Sequence, residues 1–173
     1  MQSQDEMFDV CDADDRVIGQ ATRGEVHAHR LLHRAVHCWV VRSDDQLVLQ
    51  MRSTTKDQYP STWTSSASGH VDAGETYATA IRREVQEELG LTAPDTMVRL
   101  GKRLACNALC DEHTELYLLR TDTALSPDPA EVAYLESHPI ADWMKQLHSD
   151  PARFSPTIRY LLQEFGGVIS SPQ

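Results

Sequence analysis

Apolar positions recur along the chain with two different periods, and the change from one to the other separates strands from helices. Residues 7–11 and 16–21 are short, partly apolar runs on either side of Asp12-Ala-Asp-Asp15. Turn-forming residues between two such runs predict a hairpin. A histidine-rich connection, residues 25–33, comes next. Residues 35–42 and 47–52 are β-branched or apolar, and Ser43-Asp-Asp-Gln46 between them predicts a second hairpin; a third extended run covers residues 62–66.

From Thr76 the period lengthens. Ala78, Ile81, Val85 and Leu89 recur at helical spacing, which predicts a helix over residues 76–89 with Thr76 as N-cap and Gly90 as C-terminal stop. Strands return over residues 97–104, 115–119 and 132–135, followed by helices over 140–148 and 156–165. The order is mixed α+β. It contains no internal repeat and no linker long enough to divide it, so one domain is expected across residues 1–173.

Composition narrows the choice of partner. The chain is 40% hydrophobic and 24% charged, with a formal net charge of -10. An acidic field of this kind disfavours a nucleic acid polymer, and a small polyanion would need metal ions or local Arg and Lys side chains to reverse the sign at its site. The start has no basic region followed by an apolar stretch, and the longest nearly apolar run, residues 35–41, is too short to span a bilayer. No membrane partner and a cytoplasmic location are therefore expected. Cys11, Cys38, Cys106 and Cys110 are scattered, as expected of thiols in a reducing compartment. Cys106 and Cys110 could ligate a metal, although ordinary thiols suit their spacing better.

The chemistry is concentrated in residues 69–91, Gly-His-Val-Asp-Ala-Gly-Glu-Thr-Tyr-Ala-Thr-Ala-Ile-Arg-Arg-Glu-Val-Gln-Glu-Glu-Leu-Gly-Leu. At about 100° per residue, Glu84, Glu87 and Glu88 share one arc of the helix, and Ile81, Val85 and Leu89 share a neighbouring one. One side can pack on a sheet while the other offers three carboxylates to a cleft. Like charges at these spacings repel by a few tenths of a kcal/mol per pair, a cost that bound divalent cations remove. An all-oxygen set suits Mg²⁺ or Mn²⁺.

This stretch resembles the Nudix box, in which Gly69, Glu75, Arg83, Glu84, Val85, Glu87, Glu88, Gly90 and Leu91 occupy the specified positions. A chance match at nine such positions is on the order of one in a billion per starting point. The resemblance implies the Nudix fold, an α/β/α sandwich around a mixed β-sheet, with Glu84, Glu87 and Glu88 as metal ligands. Glu75 and Arg83 would pair to fix the loop before the helix. The implied activity is divalent-metal-dependent hydrolysis of a diphosphate bond in a small phosphorylated molecule, such as a nucleoside diphosphate linked to another moiety. Glu88, or Glu115 outside the box, would accept the proton from water.

Residues 52–70, with 19–27, 32–35 and 131–165, also resemble the isopentenyl diphosphate isomerases of the same superfamily. That resemblance implies diphosphate contacts at Arg23, Arg52 and Lys56. It further implies a second metal site holding Zn²⁺ or Mn²⁺, with His27 and His33 from the loop before the third strand and His70, His113 and Glu115 from beside the box. The isomerase's catalytic cysteine, however, is replaced here by Ser68, and its cation-stabilising tryptophan by Thr157. A serine hydroxyl is a much weaker acid than a thiol, and threonine has no π face. Glu84 stands where the isomerases have arginine, so the acidic set is complete and hydrolysis is favoured over isomerisation.

A non-catalytic Nudix-derived ligand sensor is a third reading, and the intact box speaks against it. Trp63 and Trp143 could stack on a ring of the substrate, though core packing is the commoner use. Ser68 lacks a Gly-x-Ser-x-Gly elbow and reads as a supporting hydroxyl. The substrate itself is not legible in the chain, and either a monomer or a homodimer is compatible with it.

Overall fold

The structure is a computed structural model, which describes residues 4–105 and 111–169. Its elements in chain order are β1 (Met7–Cys11), β2 (Val17–Thr22), α1 (Arg23–His29), β3 (His33–Val41), β4 (Gln46–Arg52), β5 (Trp63–Thr64) and β6 (Ala67–His70). After these come α2 (Tyr77–Leu89), β7 (Val98–Arg103), β8 (Glu112–Arg120), β9 (Val132–Pro139), α3 (Ile140–Ser149) and α4 (Pro156–Ile169).

β1 and β2 form a separate antiparallel ribbon, and the main sheet runs in the order β5-β4-β3-β8-β7, with β6 also pairing with β3 and β9 with β4. β3 and β8 are parallel, while the other pairings are antiparallel. The sheet is therefore mixed and is buried on both faces. Alternation along the strands sends Val36, Cys38, Val40, Tyr117 and Leu119 into one core against Ile81, Val85 and Leu89 of α2. The opposite phase sends Trp39, Val41, Leu116 and Leu118 into a second core against Trp143, Ile158 and Leu161 of α3 and α4. This is the three-layer sandwich that the box resemblance implied.

The central opening in the sheet matters most for function. β3 and β4 pair directly only at Val40↔Val48 and Val41↔Leu47. Beyond that point β3 continues against β6 and β4 against β5, which leaves room for side chains to meet between the two halves.

Two elements depart from the sequence reading, and the two tryptophans follow its commoner alternative. The connection expected over residues 25–33 is largely the helix α1, whose N-cap Thr22 accepts from Glu25 N while the Glu25 carboxylate accepts from Thr22 N. Thr22-x-x-Glu25 is a capping box and was the available signal. The run at 62–66 contributes only the two residues of β5, and the sheet instead recruits β6. Trp63 and Trp143 are core residues with ring centroids 5.0 Å apart, and Trp143 Nε1 donates to Leu47 O at 2.9 Å. Neither ring is available to stack on a ligand. Cys11 and Cys38 are buried free thiols, and Cys106 and Cys110 lie outside the described residues. Among the described residues no helix is long and apolar enough to cross a membrane.

Candidate functional site

α2 is the frame of the site. Thr76 caps it by accepting from Thr79 N at 3.2 Å, and Gly90 closes it with φ of 63°, a left-handed turn that glycine adopts without a Cβ penalty. Burial of Ala80, Ile81, Val85 and Leu89 turns the carboxylate arc toward a cleft of about 250 Å³ lined by Glu84, Glu87, Glu88, Arg23, Arg83 and Glu131, among others.

The three carboxylates are not equivalent. Glu87 has 57% of its side chain exposed, whereas Glu88 is 2% exposed and accepts from Ser68 N at 2.8 Å and Gln50 Nε2 at 2.7 Å through the opening in the sheet. Burial pushes the Glu88 carboxyl up, partly offset by Lys56. Glu84 is pushed up to about 8, by burial first and by the neighbouring Glu88 second. It rests against Gly69, where a Cβ would lie 2.0 Å from Glu84 Oε1. Arg83 donates to Glu75 Oε2 at 2.9 Å, to Glu84 Oε1 at 2.6 Å and to His70 O at 3.0 Å. Glu75 also accepts from Asp72 N at 3.2 Å, so this pair ties the loop before α2 to β6.

The basic side chains converge from separate elements. Arg23, the first residue of α1, is 1% exposed and donates from Nη2 to Asp57 Oδ1 at 3.1 Å and from Nε to Asp57 Oδ2 at 3.3 Å. Lys56 pairs with Glu131, and its Nζ lies 3.9 Å from Glu88 Oε1. Arg52 donates to Gln58 O at 3.1 Å. Arg23, Arg52 and Lys56 all line an inner cavity beside the opening, together with Ser68, Thr157 and Glu112, and both Arg23 and His70 line this cavity and the carboxylate cleft.

The histidines divide. One ligand atom from each of His27, His33 and His70 lies within 4.8 Å of the others. His27 belongs to α1 and His33 opens β3, rather than both lying in a loop. The Nε2 atoms of all three are buried without a hydrogen-bond partner. Burial lowers His27 to about 4 and His70 to about 3, so both rings are neutral at pH 7. His113 and Glu115 are not brought to this cluster. Side chains alternate across β8, and these two fall on the face of Tyr117 and Leu119, toward α2. There Ala105 N donates to His113 Nδ1 at 3.1 Å, and His113 Nε2 donates to Asp12 O at 2.8 Å. Glu115 accepts from Tyr117 Oη at 2.8 Å and pairs with Arg99 at 3.1 Å, and it does not line the carboxylate cleft.

Glu112 stands in their place. It pairs in register with His33, lies on the same face as Leu116 and Leu118, and puts Oε1 3.5 Å from His70 Nε2. The adjacent His70, His33 and His37 hold its carboxyl well below the usual range despite its burial. Thr157 donates to Glu112 Oε2 at 3.1 Å. Extending the phase of Leu116 and Leu118 back along the strand was the signal that would have found it.

Comparison with known proteins shows the family to which the fold belongs. The NUDIX domain matches residues 31–159, and the chain belongs to that family. Within it the chain falls in the branch that resembles isopentenyl-diphosphate isomerases: the isopentenyl-diphosphate Delta-isomerase of Brevibacterium linens is 29% identical over 154 residues, covering 86% of this chain and 83% of that protein. An uncharacterized Nudix hydrolase of Streptomyces coelicolor is 36% identical over 135 residues, 78% of this chain and 75% of its own. Nudix hydrolase 3 of Arabidopsis thaliana is 36% identical over 146 residues, but the match spans only 18% of that longer protein. A crystal structure from Deinococcus radiodurans superposes with a TM-score of 0.84 at 24% identity, covering 91% of this chain and 98% of that one, a likeness of fold.

Proposed function

We propose that the protein hydrolyses a diphosphate bond in a small phosphorylated substrate with Mg²⁺ or Mn²⁺ held by Glu84, Glu87 and Glu88. The observation that carries this reading is the crowding of Glu84 and Glu88. Burial raises the proton affinity of both carboxyls and Glu88 raises that of Glu84 further, so together they form a donor set with an excess of negative charge, which a divalent cation relieves. The bound ion supplies neutralisation of the diphosphate and a lowered pKa for the attacking water.

The chain's own residues supply the remainder. Arg23, Arg52 and Lys56 direct fixed positive charge at phosphate oxygens in the cavity they share. Ser68 N and Gln50 hold Glu88 in place, and its raised proton affinity suits the role of proton acceptor. Glu115, paired with Arg99 and outside the cleft, is not assigned that role. Arg83 and Glu75 tie the loop before α2 to β6, whose Gly69 rests against Glu84.

The second metal site of this proposal consists of His27, His33 and His70, with Glu112 in place of His113 and Glu115. Three buried, unpartnered Nε2 atoms beside a carboxylate form a donor set suited to Zn²⁺ or Mn²⁺. Substrates of the kind named for family members, such as the Ap4A hydrolase from C. elegans and the ADP-ribose complex of the Shewanella oneidensis NUDIX domain, define the starting panel. The protein is incubated with Mg²⁺ and nucleoside triphosphates, nucleotide sugars, dinucleotides or prenyl diphosphates, and the products are identified by mass. Metal-dependent cleavage on the diphosphate supports the reading, and no turnover on any of them favours a non-catalytic sensor.

A further inference from the structure

The two proposed metal sites meet at one side chain. Arg23 Nη1 lies 2.9 Å from His70 Nδ1. A guanidinium can only donate, so Nδ1 must carry the lone pair, and the proton of the neutral ring sits on Nε2. That proton faces Glu112, whose Oε1 is 3.5 Å away. His33 is the reverse case. Its Nδ1 lies 2.9 Å from Leu31 O, and because a carbonyl can only accept, Nδ1 carries the proton and Nε2 keeps its lone pair. His33 is thus poised to ligate through Nε2, whereas His70, its neighbour at a ring separation of 5.0 Å, is held in the wrong tautomer. A ligating histidine ordinarily donates its other N–H to an acceptor, and here that position is taken by a donor.

Arg23 also lines both the inner cavity that it shares with Arg52 and Lys56 and the carboxylate cleft, and it is anchored on Asp57. A diphosphate entering the inner cavity brings several anionic oxygens that compete for the guanidinium more strongly than a neutral imidazole can.

We propose that Arg23 couples the sites: it blocks the metal-binding tautomer of His70 in the free protein, and a diphosphate group that draws it away and accepts from Nδ1 in its place moves the ring proton from Nε2 to Nδ1 and frees the Nε2 lone pair. The proposal rests on the hydrolase reading for the location of the diphosphate. Because the coupling is reciprocal, the metal in the histidine site tightens diphosphate binding by the same factor as the diphosphate tightens metal binding. Losing one hydrogen bond from a charged donor corresponds to roughly tenfold to a hundredfold in affinity.

Two measurements on the full chain test this. In metal-stripped, ¹⁵N-labelled protein at neutral pH, the imidazole nitrogen shifts should show His70 as the Nε2–H tautomer, changing to Nδ1–H when methylenediphosphonate binds. In a Co²⁺ titration followed by absorption, the Arg23→Met protein, which keeps much of the side-chain volume without a donor, should bind at the histidines at least roughly tenfold more tightly than the native chain. His70 in the Nδ1–H form before ligand, no tautomer change with diphosphonate bound, or equal Co²⁺ affinities in the two proteins would each overturn the assignment. A diphosphonate that does not bind at all counts instead against the hydrolase reading, and the Co²⁺ comparison then decides the role of Arg23. Circular dichroism confirms that the variant is folded before its affinity is compared.

Discussion

Gly69 and Glu84 are packed so closely that a methyl group on the glycine would lie 2.0 Å from the Glu84 carboxylate. The specified glycine of the box is thus a space requirement of the Glu84 side chain, a proposed metal ligand. Gly69→Ala should leave the fold intact, because the clash is with the end of a side chain, and should lower metal-dependent turnover roughly tenfold or more by misplacing Glu84. Unchanged turnover in a folded Gly69→Ala protein would refute that account.

Glu88→Gln removes the carboxylate that Ser68 N and Gln50 hold in the sheet opening. Turnover should fall roughly a hundredfold or more. Steady-state rates for Glu87→Gln and Glu88→Gln, measured at saturating Mg²⁺, check the proposed site, and native rates in both would remove it from consideration.

The carboxylate crowding has a pH signature. Glu84 lies above its ordinary value of 4.5, at about 8, because the folded chain binds its proton more tightly than the unfolded chain does. Its contribution to stability is therefore complete below the unfolded value and is lost as pH rises toward the folded one. The buried histidines His27, His37 and His70, lowered to about 4, 4 and 3, oppose this, because the unfolded chain still takes up their protons around the ordinary value of 6.5. Relative to Glu84→Gln, which shares these histidines, the Tm of metal-free native protein should drop by roughly 5 °C between about pH 6.5 and about pH 8.5. Mg²⁺ should suppress this difference. Equal pH dependences in the two proteins contradict the raised proton affinity of Glu84.

Isopentenyl diphosphate should not be isomerised, although relatives bear that name. Ser68 and Thr157 line the inner cavity, and neither supplies an acidic thiol or a π face. Formation of dimethylallyl diphosphate above a no-enzyme control would overturn this expectation.

Protein purified without chelator should contain about one transition metal per chain, and the His33→Ala, His70→Ala double variant should contain substantially less. Elemental analysis decides the point. Protein that stays metal-free after incubation with Zn²⁺ or Mn²⁺ would leave the three buried Nε2 atoms as hydrogen-bonding histidines.

The box helix was legible because everything that makes α2 a helix is local. Thr76 and Gly90 fix its ends, and a 3.6-residue period places Glu84, Glu87 and Glu88 beside, but not within, the stripe of Ile81, Val85 and Leu89. No distant contact is needed to infer that arc, and the Glu75–Arg83 pair spans only one loop and two turns.

What the tertiary structure alone decided is which distant residues meet and which face each strand residue presents. A shift of one position along β8 exchanges Glu112 for His113, and only the register with His33 determines which of them enters the histidine cluster. Arg23 reaches His70 across 47 residues, and Lys56 reaches Glu131 across 75. These contacts are set by the divergence of β3 from β4, and so by the packing of the two cores on either side of the sheet. Local spacing carries no information about contacts of that kind, because they exist only once the sheet has closed around them.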